Sequence, residues 1–208
     1  MRVVTANPEL IYRAARQVTL SNLINTAGLV TPDGVGVVWA ARMLGKPVPE
    51  RVTGIDLMEA LFPVAHNQGW RVFFLGGRPG VAEQAAAKVR EAYPRITFGT
   101  AHGYFTADEE SLVVANIGRF RPDLLCIGLG APRQELWSAG YPGLAIVSIG
   151  VGGSFDALAG TVPRAPLWVQ SIHLEWLYRL IKEPWRWRRQ TVLPLFVWDV
   201  LRQKLRLK

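Results

Sequence analysis

Asp33 is the only acidic residue in the forty positions from Leu10 to Pro49. It follows a short apolar segment and precedes a helical pattern, which predicts a turn between a strand and a helix. Gly34 and Gly36 beside it allow a ligand to approach the backbone closely. A carboxylate at such a turn is suited to act as a general base. The alternative is that Asp33 caps the helix that follows, a role in which aspartate is favoured.

Further polar side chains follow other predicted strands or lie in loops rich in glycine and proline. They are Thr5, Asn7, Arg51, Tyr104, Gln134 and Asp156. Together with Asp33 they provide a carboxylate base, hydroxyl and amide hydrogen-bonding groups, and a cation for an anionic substrate. We therefore expect these residues to meet at one binding rim.

The sequence argues against several other chemistries. It has no Ser/His/Asp arrangement, no cysteine with a histidine partner, and no D-x-D pair to hold a metal on a nucleotide diphosphate. One cysteine and three scattered histidines exclude a disulfide framework and argue against a zinc site. Cys126 lies in an apolar run and is predicted to be a buried structural thiol. We expect no metal and no cofactor, so that arginines must stabilise a departing diphosphate if the substrate is a nucleotide-sugar.

The elements that must position these residues alternate between strand and helix. The helical patterns include 81–93 and 107–120, and several strand candidates are continuous apolar runs, as in strands buried on both faces of a parallel sheet. This alternation predicts an α/β fold of three layers, Rossmann-like, with a mostly parallel sheet that binds ligands at the carboxyl ends of its strands. Neither a dinucleotide-binding fingerprint nor a Walker A loop is present. The strand candidates are Val3–Thr5, Leu29–Thr31, Arg71–Leu75, Ile96–Phe98, Asp123–Ile127 and Leu144–Ile149.

The C-terminal part of the chain is basic and rich in tryptophan. From Gln170 to Lys208 there are nine Lys or Arg and three Asp or Glu, which gives +6 of the chain's net charge of +8. Five of the eight tryptophans lie between Trp168 and Trp198. Basic, Trp-rich helices bind the headgroup layer of anionic membranes or track nucleic-acid phosphates while stacking on bases. They can also pack on the core with their arginines solvated, and all three alternatives stay open at this point.

A chain of 208 residues with 50% hydrophobic residues is long enough for one domain and an appendage. We place an α/β catalytic domain at residues 1–162 and a C-terminal helical appendage at residues 163–208. No N-terminal signal peptide is visible, and no apolar run reaches the roughly 18 residues that a membrane span requires. We therefore expect a cytoplasmic location.

Seven short motifs follow one another along the chain. They are Thr5-Ala-Asn-Pro8, Pro32-Asp-Gly34, Arg51-Val-Thr-Gly-Ile-Asp56, Leu75-Gly-Gly-Arg-Pro-Gly80, His102-Gly-Tyr-Phe105, Gly130-Ala-Pro-Arg-Gln-Glu135 and Val151-Gly-Gly-Ser-Phe-Asp156. In type and order they resemble the motifs of the WecG/TagA/CpsF family of bacterial glycosyltransferases. One such motif is weak evidence, whereas seven in the family's order, covering essentially residues 2 to 190, are specific.

The resemblance implies an inverting transfer of N-acetylmannosamine from UDP-ManNAc to undecaprenyl-diphosphate-linked GlcNAc, the linkage-unit step of wall teichoic acid synthesis. Members of the same family make exopolysaccharide or enterobacterial-common-antigen-type products from UDP-glucose or UDP-ManNAcA, and the sequence does not discriminate between these donors. An alternative from a different class is a basic nucleotide- or RNA-binding module. The absence of nucleic-acid-binding motifs argues against that alternative.

The resemblance also implies roles for individual residues. Asp33 matches the base that deprotonates the acceptor hydroxyl, and Thr5 lies beside it as a group that orients the substrate. Arg51 matches a position that binds phosphate or acceptor. The positions that line the UDP pocket are matched by Asn7, Tyr104, Gln134 and Asp156.

In the appendage, Arg179, Arg186 and Arg189 resemble C-terminal arginines that reach the acceptor's diphosphate when the appendage docks on the membrane. An acceptor held in lipid by a polyprenyl chain suits a basic, Trp-rich surface. We therefore expect peripheral association with the inner face of the cell membrane, with an anionic lipid surface and not nucleic acid as the partner. A homo-oligomer whose state changes on docking is compatible with this arrangement.

Overall fold

The computed structural model describes residues 1–163, 165–166, 168–169, 175–182 and 187–206. Its described strands form one six-stranded sheet in the order β2-β1-β6-β5-β3-β4, and all neighbouring strands are parallel. The predicted α/β fold is confirmed, and the sheet is wholly rather than mostly parallel. The strands are β1 (Arg2–Ala6), β2 (Leu29–Pro32), β3 (Arg71–Gly76), β4 (Thr97–Ala101), β5 (Leu124–Gly128) and β6 (Val147–Gly150).

Helices connect the strands and cover both faces of the sheet. Those between the strands are α1 (Pro8–Ala14), α2 (Val18–Asn25), α3 (Val35–Met43), α4 (Gly54–Gln68), α5 (Val81–Ala92), α6 (Ala107–Phe120) and α7 (Arg133–Gly140). After β6 follow α8 (Ser154–Ala159), α9 (Glu175–Lys182), α10 (Trp187–Gln190) and α11 (Val192–Arg206).

The central strands are buried on both faces, as their continuous apolar sequences predict. Val72 and Phe74 of β3 pack with α4, α5 and α8, whereas Phe73 and Leu75 of the same strand pack on the opposite face with α6 and α7. The Phe74 and Phe155 rings lie 4.7 Å apart between centroids. Cys126 lies in this core, where burial raises the pKa of its thiol. The prediction of a buried structural thiol is therefore confirmed.

The fourth strand differs from its predicted range. We predict Ile96–Phe98 from apolar side chains, whereas β4 extends from Thr97 to Ala101 and pairs with β3 along its whole length. Gly99 lies within it because a Cβ at this position would be 2.5 Å from Cδ2 of Phe73. The strand therefore continues through a residue that usually weakens strands, since the Phe73 ring occupies the space above it.

The last helix packs against the N-terminal part of the chain. Phe196 and Val200 of α11 are buried with Ala40 of α3, and Arg16 pairs with Asp199 at 2.7 Å. None of the described helices has both the length and the hydropathy needed to cross a membrane. The division of the chain at residue 162 stays a prediction.

Candidate active site

A cavity of about 420 Å³ lies at the carboxyl ends of β1, β2 and β6. The loops after these strands line it, together with the loop after β5, the first residues of α4, and α9 and α11 of the C-terminal region. Ligands of parallel α/β sheets bind outside the carboxyl ends of the strands. Of the predicted site residues, this cavity brings together Thr5, Asn7, Asp33, Arg51 and Gln134.

Asp33 follows β2 directly and is held beside the end of β1. Its backbone N–H donates to the carbonyl of Ala6 at 2.9 Å. The N-cap of α3 is Gly34, with φ of 110°, and it provides no side-chain cap hydrogen bond. The N-cap position is thus occupied by a glycine, whose positive φ is accessible at little cost. Asp33 lies one residue ahead of the cap and on the cavity wall.

Thr5 and Asn7 hold the end of β1 in place. The Thr5 hydroxyl is buried and donates to the carbonyl of Gly150 at 2.7 Å, which joins the ends of β1 and β6. Asn7 is the N-cap of α1, and its Oδ1 accepts from the N–H of Leu10 at 2.9 Å. Both side chains therefore carry structural hydrogen bonds where they line the cavity.

Arg51 reaches the cavity just ahead of α4. Val52 N–H donates to the carbonyl of Pro32 at 3.1 Å, so the segment is attached to the same turn that carries Asp33. Thr53 caps α4, with its Oγ1 accepting from Asp56 N–H at 3.2 Å and donating to Asp56 Oδ2 at 2.6 Å. The site therefore combines a guanidinium group with the positive end of a helix dipole, both favourable to an anion.

Gln134 is buried at the start of α7. Its Nε2 donates to Glu135 Oε1 at 2.7 Å, and its Oε1 accepts from Gly152 N–H at 3.0 Å. The side chain thus connects α7 to the loop between β6 and α8, which forms part of the cavity wall.

Two predicted residues do not line this cavity. Tyr104 is 67% exposed and follows β4, the edge strand separated from β1 by β3, β5 and β6. Asp156 lies in the first turn of α8, where its carbonyl accepts from the Thr161 hydroxyl at 3.0 Å. Strand order explains Tyr104, since β4 lies far from β1 in the sheet. Asp156 follows β6, a neighbour of β1, but it lies within α8, beyond residues 151–154, which line the cavity. Their assignment to the UDP pocket stays a prediction.

The three predicted tail arginines also remain predictions. Arg186 lies outside the residues that the structure describes, and the structure describes the backbone but not the side chains of Arg179 and Arg189.

The cavity contains residues that the sequence analysis missed. Glu9 is buried in its wall and pairs with Arg13 at 3.1 Å. Its position two residues after Asn7, in the first turn of the helix that follows β1, was the available signal. An apolar wall comes from Leu193, Phe196 and Val197 of α11. In the sequence, the amphipathic pattern of α11 indicates that one face of the helix is buried. It does not identify the surface on which that face packs.

Within the described part of the chain, no group of three or more His, Cys, Asp or Glu side chains could hold a metal ion. The polar groups of the cavity are therefore carboxylate, hydroxyl, amide and guanidinium groups. They suit acid–base chemistry on a hydroxyl and stabilisation of an anionic leaving group.

Comparison with known proteins agrees with this chemistry. The sequence model of the glycosyl transferase WecG/TagA/CpsF family matches residues 1–208. The chain belongs to this family. Within the WecG/TagA/CpsF family it is 35% identical over 205 residues to the N-acetylglucosaminyldiphosphoundecaprenol N-acetyl-beta-D-mannosaminyltransferase of Bacillus subtilis (strain 168), covering 97% of this chain and 79% of that protein. It is 36% identical over 208 residues to the protein of the same name from Staphylococcus aureus (strain MW2), covering 99% and 82%.

The resemblance seen in the seven motifs is thereby confirmed, and the protein is a glycosyltransferase. For a WecG/TagA/CpsF enzyme, the cavity at the carboxyl ends of β1, β2 and β6 is the candidate active site. Asp33 and Arg51 both line it, which brings a carboxylate and a guanidinium group to one cavity.

Proposed function

We propose that this glycosyltransferase moves N-acetylmannosamine from UDP-ManNAc to undecaprenyl-diphosphate-linked GlcNAc with inversion, the linkage-unit step of wall teichoic acid synthesis. The observation that carries the proposal is the convergence of Asp33, Thr5 and Arg51 in one cavity. The names of the relatives from Bacillus subtilis and Staphylococcus aureus supply the sugar and the acceptor.

In the proposed reaction the Asp33 carboxylate accepts the proton of the acceptor hydroxyl as its oxygen attacks the anomeric carbon of the donor. The bond from that carbon to the diphosphate oxygen breaks, and its electron pair leaves with UDP. Attack opposite the leaving group inverts the anomeric centre. Thr5 helps to orient the substrate beside Asp33.

The leaving diphosphate gains negative charge, which Arg51 and the N-terminus of α4 stabilise. The proposal needs no metal ion, since guanidinium groups bind diphosphate oxygens in bidentate geometry. Arg179, Arg186 and Arg189 are the further cations that we assign to the diphosphate of the acceptor.

We also place the protein on the inner face of the cell membrane. Among the described residues of the C-terminal region, the exposed tryptophans are Trp168, Trp176, Trp187 and Trp198. Exposed aromatic side chains on a segment of net charge +6 favour the headgroup layer of anionic lipids. A homo-oligomer that covers these side chains away from the membrane belongs to the same proposal.

A donor screen tests the proposed function. The full chain is incubated with a lipid-diphosphate-GlcNAc analogue and with UDP-ManNAc, UDP-glucose or UDP-ManNAcA, and released UDP is measured. We expect release with UDP-ManNAc alone, at a rate that EDTA does not change. Release with another donor only would reassign the substrate, and a rate abolished by EDTA and restored by Mg²⁺ would contradict the metal-free mechanism.

A further inference from the structure

Two adjacent polar side chains are buried at the start of α7, and the first of them lines the cavity. Gln134 is 4% exposed and Glu135 is 2% exposed. An acidic residue in the first turn of a helix usually interacts with the helix dipole from the surface. Burial of a carboxylate costs free energy unless hydrogen bonds compensate for the lost water. The buried carboxylate of Glu135 therefore needs hydrogen-bond partners inside the protein, which a residue at the surface does not need.

The hydrogen bonds of the pair have a defined direction. Gln134 Nε2 donates to Glu135 Oε1 at 2.7 Å, and Gln134 Oε1 accepts from Gly152 N–H at 3.0 Å. An ionised carboxylate only accepts hydrogen bonds, and a backbone N–H only donates them. If the Gln134 amide were turned round, its oxygen would face the carboxylate and its NH₂ group would face the N–H. Glu135 and the Gly152 N–H thus favour the same orientation of the amide, with its oxygen towards Gly152.

The loop that receives this hydrogen bond is part of the cavity wall. Gly152 has φ of 55°, a left-handed conformation, and the loop from Val151 to Ser154 lines the cavity. Gly150 precedes it, and a Cβ there would be 2.6 Å from Gln134 Nε2 and 3.1 Å from Glu135 Oε1. The end of β6 and the loop after it therefore pack closely against the side chains of Gln134 and Glu135.

We propose that Glu135 is a positioning residue that acts through Gln134 on the loop between β6 and α8, and that this loop conformation binds the UDP part of the donor. Gln134 lines the cavity and Glu135 does not, so Glu135 affects the ligand only through its neighbour. The inference rests on the proposed function, because that function supplies the nucleotide.

A double-mutant cycle on the full chain tests this coupling. We expect E135Q, which keeps the volume but can donate as well as accept, to weaken UDP binding by roughly ten-fold in calorimetry, about 1.4 kcal/mol. In the Q134A background the same change should have no further effect, because coupled residues are not additive. E91Q, an exposed acid on α5, is the matched control and should bind UDP like the wild type.

If Glu135 had only a structural role, E135Q would lower the melting temperature of the protein without the non-additive loss of UDP affinity. We therefore expect the KM for the donor to rise while the KM for the acceptor stays the same. G150A is the second variant, since its methyl group displaces the Gln134 amide from the other side. If E135Q does not fold, G150A tests the Gln134 step directly, and wild-type UDP affinity in folded G150A would then overturn the proposal.

Two results would overturn the proposal: wild-type UDP affinity in folded E135Q, or a further ten-fold loss when E135Q is added to Q134A. These results differ from a failure of the proposed function. A wild-type chain that binds UDP but transfers no sugar refutes the transfer alone. A wild-type chain that transfers sugar while E135Q binds UDP normally refutes only the positioning role.

Discussion

The positions of the proposed base and its companion cation depend on one turn. Asp33 N–H donates to the carbonyl of Ala6, and the carbonyl of Pro32 accepts from Val52 N–H. Asp33 and Arg51 therefore belong to segments attached to the same short stretch of backbone. A change in that turn moves both groups together.

Asp33→Asn should abolish sugar transfer while UDP binding remains close to that of the wild type. The amide has nearly the same shape but cannot accept the proton of the attacking hydroxyl. Transfer is measured by UDP release and binding by calorimetry. Asp108→Asn, at an exposed position in α6, is the control, and turnover near that of the wild type in Asp33→Asn would exclude Asp33 as the base.

Thr5→Val should lower both stability and transfer, whereas Thr5→Ser should preserve both. Valine keeps the shape but leaves the buried Gly150 carbonyl without the 2.7 Å hydrogen bond from the hydroxyl. We expect the free energy of unfolding to fall by about 1–3 kcal/mol, as for other buried groups that lose a partner. Denaturant unfolding and UDP release measure the two effects. Unchanged transfer in Thr5→Val would remove the hydroxyl from the mechanism.

At the scale of elements, α11 contributes to the site through its packing on α1 and α3. Phe196 is buried in that contact and also lines the cavity. The Arg16–Asp199 ion pair is partly exposed, and we expect it to contribute less than about 1 kcal/mol. Apolar packing therefore dominates the attachment of the helix.

Phe196→Ala should detach α11 and open the cavity. Truncation of a buried phenylalanine costs roughly 3–5 kcal/mol, more than the ion pair at Asp199 can offset. Hydrogen exchange should show faster exchange across α11 and little change in β3 or β5. Leu205→Ala, on an exposed side chain of the same helix, should leave exchange unchanged. Equal protection of α11 in both variants would contradict this account of its attachment.

Local sequence predicts the elements well because apolar runs and turn residues are local signals. All six strands overlap their predicted ranges, but β4 extends three residues further than predicted and β6 begins three residues later. The extension of β4 was missed because no local signal shows that the Phe73 ring covers Gly99. Local sequence does not predict the order of the strands in the sheet, because that order depends on pairings between segments that are distant in sequence. The sequence therefore places Tyr104 correctly after a strand, but not at the far side of the sheet from Asp33. Glu9 and Glu135 were missed because burial of a single acid leaves no periodic pattern.

At the scale of the whole molecule, charge and exposed tryptophan are concentrated in the C-terminal region. We expect the full chain to bind vesicles that contain anionic lipid and to bind phosphatidylcholine vesicles weakly. Binding should weaken as salt is added, because salt screens exposed charges. Trp198→Ala should reduce the bound fraction in co-sedimentation.

Ile146→Ala is the matched control, since it removes an exposed apolar side chain outside the C-terminal region. It should sediment with vesicles like the wild type. Tighter, salt-dependent binding to RNA than to anionic vesicles would contradict the membrane proposal and favour the nucleic-acid alternative.

The neighbours of β1 also constrain the order in which the protein can fold during synthesis. β1 pairs on one side with β2 and on the other with β6. The pairing of Val3 with Ile149 can therefore form only after Ile149 has left the ribosome. The cavity is complete only after Phe196 has followed. A nascent chain therefore carries β1 paired on one side only until β6 has been made, a period in which unpaired strand edges are open to aggregation and to chaperones. The wall of the cavity that α11 provides can therefore form only late in synthesis.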